Sequence, residues 1–115
     1  MSNIHFTDTQ KAAIVSLLIE MINVDERIDH SEVSVFNLIC AETQVPEDIY
    51  NIGRSLNPIV ALDIMKRMND LQKIHTAQLL TRVIDADACD DDREIELFNL
   101  ICRETGVDVL MDTKS

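Results

Sequence analysis

Tryptophan is absent from this chain of 115 residues, tyrosine occurs once, and there are only two glycines and two prolines. A β-rich fold draws on aromatic side chains and on turn residues every roughly eight to twelve positions, and neither supply is present. The glycines, Gly53 and Gly106, stand alone, so no glycine-rich loop exists to cradle a phosphate. Basic residues are also scarce, ten against twenty-one acidic ones, which sets the formal net charge at -11 and the pI near 4.4. A surface of that sign repels a nucleic-acid backbone, and a cation or a basic protein surface is its natural complement. The longest apolar stretch, residues 12–22, is broken by Ser16 and Glu20 and is too short to span a bilayer, so direct membrane insertion is not expected. The first fifteen residues lack the basic start and clean apolar run of a secretory signal. Three cysteines, an odd number without C-x-x-C spacing, suit reduced thiols, and a cytoplasmic protein is the expectation.

What is present is 46% hydrophobic residues arranged with helical spacing, enough for one self-sufficient core. A first helix opens at Thr7 or Asp8 and runs to about Asn23. Ile14, Val15, Leu17, Leu18, Ile19, Met21 and Ile22 cover most of its circumference, the pattern of a central helix. Asp29 with Glu32 three residues on forms a capping box for a second helix to about Thr43, with Phe36, Ile39, Cys40 and Thr43 on one face. Pro46 opens a short helix to Ser55, and Asn57-Pro58 opens another through about Met68. A fifth runs from Asp70 to about Asp85 with Leu71, Ile74, Ala77, Leu80, Val83 and Ile84 apolar. Asp91 with Glu94 repeats the capping box, and the sixth helix stops at Gly106, where a left-handed residue is wanted. The tail from Val107 adds a turn.

An internal repeat organises these segments. Phe36-Asn-Leu-Ile-Cys-x-Glu-Thr-x-Val45 returns as Phe98-Asn-Leu-Ile-Cys-x-Glu-Thr-x-Val107, an offset of 62 residues. Residues 15–45 aligned on 77–107 without a gap give 14 identities in 31, where average composition gives about two. The expected fold is therefore all-α: a compact bundle of six or seven helices built on a duplicated helix pair with internal pseudo-two-fold symmetry. Repeat one spans about 8–45, bridging helices about 46–68, and repeat two about 70–107, all within a single domain.

The acidic connector between the fifth and sixth helices is the candidate site. From 85 to 96 the acids are Asp85, Asp87, Asp90, Asp91, Asp92, Glu94 and Glu96, opposed by Arg93 alone. Carboxylates gathered at a helix start repel one another unless a cation, a basic partner or the helix terminus compensates them. Asp87, Asp90, Asp91 and Glu94 are the candidate ligands, with Asp25, Asp29 and Glu32 matching Asp87, Asp91 and Glu94 in the first copy. Hard oxygen donors suit Ca2+ or Mg2+ better than Zn2+. The connector is not an EF-hand: starting the loop at Asp85 puts Cys89, Asp90 and Arg93 where a ligand, the turn glycine and a further ligand belong, and the first copy has Ser34 in place of the final glutamate. A capping box beside a solvated acidic loop explains the same residues without an ion.

An apolar helix ending in Ala-Asp, a short acidic connector and a helix opening toward Glu, present twice around a helical middle, resembles the TerB-like domain family named for tellurite resistance. The elements that carry the resemblance are Val24-Asp25-x-x-Ile28-Asp29-x-x-Glu32 and Ala86-Asp87-x-x-Asp90-Asp91-x-x-Glu94, and it covers nearly the whole chain. It implies an all-α fold of six or seven helices, an acidic surface suspected of holding divalent cations, a bacterial setting in stress response or membrane-associated complexes, and no catalytic activity. Its motif acids fall on Asp25, Glu32, Asp87 and Glu94. The glycine common after the motif Asp is Glu26 in one copy and Ala88 in the other. The first copy has Arg27 and His30 where the second has Cys89 and Asp92, which places an ion mainly at the second copy.

Cys40 and Cys102, equivalent residues on apolar faces, read as packing thiols, with a disulfide between them as the alternative. Cys89 lies among carboxylates that disfavour its thiolate, and a zinc site there would need His30. His5 and His75 lack a nucleophile arrangement and read as structural or exposed. Two functions remain: a non-enzymatic domain whose connectors bind a divalent cation, or an acidic interaction module that docks a basic protein without metal. An enzyme is not expected.

Overall fold

A helix that is apolar on every side has to be surrounded, and α1 (Asp8–Asn23) is: residues 12–18, Met21 and Ile22 are all buried. The computed structural model describes residues 4–24, 30–86 and 92–111. In these, α2 (His30–Glu42), α3 (Glu47–Ser55), α4 (Pro58–Lys66), α5 (Asp70–Ala86), α6 (Asp92–Thr105) and α7 (Val107–Met111) follow α1, and no strand occurs among the described residues. All but α7 pack extensively on other parts of the bundle through or beside α1: α3 and α4 lie along it, α5, α2 and α6 close the remaining sides, and α7 packs on α5 and α6. The radius of gyration, 13.2 Å, is that of a single compact domain of this length, about 13 Å. Among the described residues no helix is long and apolar enough to cross a membrane.

The helix ends follow local chemistry. Thr7 and Gln10 form a reciprocal capping box at α1, at 3.1 and 2.9 Å. Asn57 Oδ1 accepts from the Ile59 N–H at 2.8 Å, with Pro58 as the first helical residue of α4. Asn69 and Gln72 cap α5 in the same reciprocal way, at 2.8 and 3.1 Å. Pro46 is the N-cap of α3 rather than its first helical residue, and α4 stops at Lys66, short of Met68. The apolar stripe of α5 starts a turn later than its sequence pattern suggests: Leu71, next to the cap, is 67% exposed, while Thr76, Ala77, Leu79, Leu80, Val83 and Ile84 are buried. After α2 and α6 the chain turns left-handed, at Gln44 (φ 58°) and at Gly106 (φ 85°). These two residues are 62 apart.

Two close contacts fix the position of α1. Gly53 of α3 lies so near that a Cβ on it would meet Val15 Cβ at 2.6 Å and the Ala12 carbonyl oxygen at 2.8 Å. One turn on, the buried Ser16 Oγ donates to the Leu56 carbonyl at 3.0 Å. The two contacts join the carboxy-terminal half of α3, and the residue that follows it, to the middle of α1. At the amino end of α1, the side-chain amides of Gln10 and Gln72 face each other, Gln72 Nε2 donating to Gln10 Oε1 at 3.2 Å and Gln10 Nε2 to Gln72 Oε1 at 3.4 Å. Gln10 and Gln72 are also 62 apart. Asp8-x-Gln10-Lys11 and Asp70-x-Gln72-Lys73 carry the repeat further toward the amino terminus than residue 15. On the far side, Tyr50 of α3 is tilted against Phe36 of α2 with ring centroids 6.0 Å apart, and the Arg54 guanidinium lies over its ring.

Two substitutions test this packing. Gly53→Ala forces α3 off α1 against backbone as well as side chain, and should lower the urea-unfolding free energy by about 1–3 kcal/mol. Gln44→Gly relieves a left-handed residue whose cost is about 1–2 kcal/mol, less the entropy glycine forfeits, and should raise the unfolding midpoint. Gly106→Ala, with open space around it but the same φ, should lower it.

Candidate functional site

Each acidic connector delivers the chain into a helix whose third residue is a glutamate: Glu32 in α2 and Glu94 in α6. A capping-box glutamate normally stays at the surface, reaching back over the first turn. Here both are completely buried, 0% exposed. For Glu32, neither carboxylate oxygen has a hydrogen-bond partner among the described residues. Leaving a buried neutral polar group unsatisfied costs about 1–3 kcal/mol, and a charged group costs more. The carboxylate of Glu32 is therefore a strong demand for a positive charge or a donor at the start of α2.

The other candidate ligands, Asp25, Asp29, Asp87, Asp90 and Asp91, lie outside the described residues, as do Arg27 and Cys89. Among the described residues no three His, Cys, Asp or Glu side chains gather closely enough to hold a metal ion. His30 is exposed at the first position of α2. What the described part contributes is thus one buried carboxylate from each copy of the repeat. The oxygens of Glu32, without a partner among the described residues, are hard donors, the type that Ca2+ and Mg2+ select.

A second concavity, polar and about 340 Å3, lies on another face between the amino-terminal segment, the end of α2 and α5; His5, Phe6, Lys11, Glu42, Gln44 and His75 line it. Its walls are mutually engaged. Lys11 Nζ donates to the Gln44 carbonyl at 2.8 Å, the Gln72 amide donates to the His5 carbonyl at 2.8 Å, and the Phe6 and His75 rings are 5.8 Å apart. Arg82 donates two hydrogen bonds to Glu42, at 2.8 and 3.2 Å, tying α5 to the end of α2. Those bonds hold the Glu42 carboxyl below its usual range. The stability they give is present above the unfolded carboxyl value and is lost as pH falls through the folded one. Both partners are substantially exposed, so the pair is worth no more than about 1 kcal/mol.

Cys40 and Cys102 are free thiols, Cys40 half-buried and Cys102 buried, so no disulfide joins them. Burial pushes both up, and for Cys102, with the Asp108 carboxylate adding to burial, the value reaches about 11. The thiolate is the reactive form, and an ordinary thiol titrates near 8.5. At pH 8 the native Cys102 should therefore react with a disulfide reagent at least roughly a hundredfold more slowly than free cysteine. Its labelling rate, followed residue by residue by mass spectrometry, should climb toward pH 11 or on unfolding.

No protein-family model matches the sequence, and no curated protein does. The fold does have a solved counterpart, a crystal structure of a protein of unknown function, PG1108 from Porphyromonas gingivalis W83. The two superpose with a TM-score of 0.76 over 90% of this chain and 86% of that one, at 22% sequence identity. At that identity the likeness is one of fold alone.

Proposed function

We propose that this chain is a non-enzymatic TerB-like domain of bacterial stress response, associated with tellurite resistance, whose acidic connectors take a divalent cation, Ca2+ or Mg2+ rather than Zn2+. In this reading the bundle is a duplicated helix pair, α1–α2 and α5–α6, related by an approximate two-fold axis. Matched burial supports the duplication: Leu17 with Leu79, Leu18 with Leu80, Ile22 with Ile84, Ile39 with Ile101 and Glu32 with Glu94. So do the matched threonine bonds, Thr43 to the Ile39 carbonyl and Thr105 to the Ile101 carbonyl, both 2.7 Å. A residue on a two-fold axis meets its own equivalent, which is what Gln10 and Gln72 do.

The observation that carries the cation is the carboxylate of Glu32 in the first turn of α2, buried and without a hydrogen-bond partner among the described residues. It gives the first copy weight beside the second, where the sequence places an ion mainly. The chain's own part is to supply fixed carboxylate oxygens from the helix starts, and the cation would supply the charge that relieves their repulsion and draws connector and helix together.

Glu32→Gln separates this reading from a merely acidic surface. In chelator the variant should be more stable than wild type, because a buried charge has been removed. With cation at about 100 times its dissociation constant, wild type should gain roughly 2.7 kcal/mol, several degrees in a domain of this size, and the variant distinctly less. An Asp87→Asn, Asp90→Asn protein reports the second connector in the same scan. Should no ion shift wild type at millimolar concentration, or should all three proteins respond alike, the cation reading fails. The second reading, an acidic module that docks a basic protein without metal, would then stand, favoured by an apolar groove between α1, α3 and α4 that Ile49, Ile52, Leu56 and Ile64 line beside Asp8.

A further inference from the structure

Large β-branched side chains on an exposed helix face are out of place twice over, since they leave apolar area in water and lose rotamer freedom in the helix. Three of them are on α3 and α4: Ile52 is 53% exposed, Val60 46% and Ile59 74%. Ile52 opens into a groove of about 210 Å3 between α1, α3 and α4, floored by Ala12, Ile49, Leu56 and Ile64. Val60 lies one helical turn before Ile64, so the apolar strip continues along α4. The groove has an acidic lip. Asp8 lines it directly, and Asp48, one turn before Ile52, stands on the same face of α3. Asp8 and Asp48 belong to the first turns of α1 and α3, two helices that pack on each other. Asp63 on α4 is exposed too, its charge shared with Arg67 at 3.2 Å.

We propose that this groove seats an amphipathic helix of a partner protein that carries lysine or arginine beside its apolar stripe. The inference rests on the interaction-module reading and needs no cation. Apolar anchors enter the groove between Ile52, Leu56 and Ile64, and the basic residues flanking them meet Asp8 and Asp48. Charge selects this occupant over a second copy of the chain, because two molecules each carrying -11 would bring acidic lip against acidic lip.

The test is fluorescence anisotropy with a labelled helical peptide of about 18 residues, leucines at i, i+3, i+4 and i+7 and lysines on the remaining face. A matched peptide has glutamate for every lysine. The lysine peptide should bind wild type, weaken as salt shortens the Debye length, and lose at least about tenfold in affinity to an Ile52→Gln, Val60→Gln protein. Both substitutions are at exposed helical positions, so circular dichroism and the unfolding midpoint should stay at wild-type values. The Asp87→Asn, Asp90→Asn protein should bind the lysine peptide as wild type does, so a failed cation reading leaves this result intact. The proposal is overturned if the lysine peptide does not bind, if the groove variant binds it equally, or if the glutamate peptide binds as well. It is equally overturned if wild type sediments as a dimer that Ile52→Gln, Val60→Gln dissociates, for then the groove belongs to a second copy.

Discussion

Covering α1 on all sides is the requirement from which the rest of the architecture follows. Its apolar run is buried from Ala12 to Leu18 and again at Met21 and Ile22, with only Ile19 and Glu20 partly exposed, so the remaining helices are arranged as its enclosure. The closest wall is α3, admitted to contact by the absence of a side chain at Gly53. Even the hydroxyl within the run is used: Ser16, which looks in sequence like an interruption, satisfies the carbonyl at the end of α3. With α1 enclosed, α5 and α2 are joined at the surface by Arg82 and Glu42, and the two connectors are left at the ends of the two long helices.

Most of the fold was legible because helix ends are local. Thr7 before Gln10 and Asn57 before Pro58 are short-range patterns, and the structure places helix starts where they fall. The Asn69–Gln72 cap is the same kind of signal, two residues three apart just where α5 begins. What could not be read depends on neighbours distant in sequence. Nothing around Gly53 says that α1 will press on it. Leu71 continues an apolar spacing and is still exposed, since no element covers that turn of α5. The burial of Cys102 fitted its apolar face, whereas Cys40, its equivalent, is covered only by half.

The candidate site divides in the same way. The pairing of Glu32 with Glu94 came from the repeat alone, and the helices duly place both in first turns. Their complete burial is another matter. Sequence assigns a capping-box glutamate to the surface, and only the arrangement of other helices over α2 and α6 takes these two out of water. An acidic loop on its own is ordinary. An acidic loop that leads to Glu32, a carboxylate buried without a donor among the described residues, poses a chemical problem that something positive would solve.

The poverty of aromatics gives the molecule a built-in optical reporter. Tyr50 is the chain's single tyrosine and there is no tryptophan to mask it, so near-ultraviolet absorption and emission arise essentially from one ring. That ring sits between Arg54 and Phe36, and Phe36 lies one helical turn beyond Glu32 on α2. A shift of α2 that moves Phe36 changes the surroundings of the only strong chromophore the protein has. Its spectrum reports on the packing of α2 against α3 without a label.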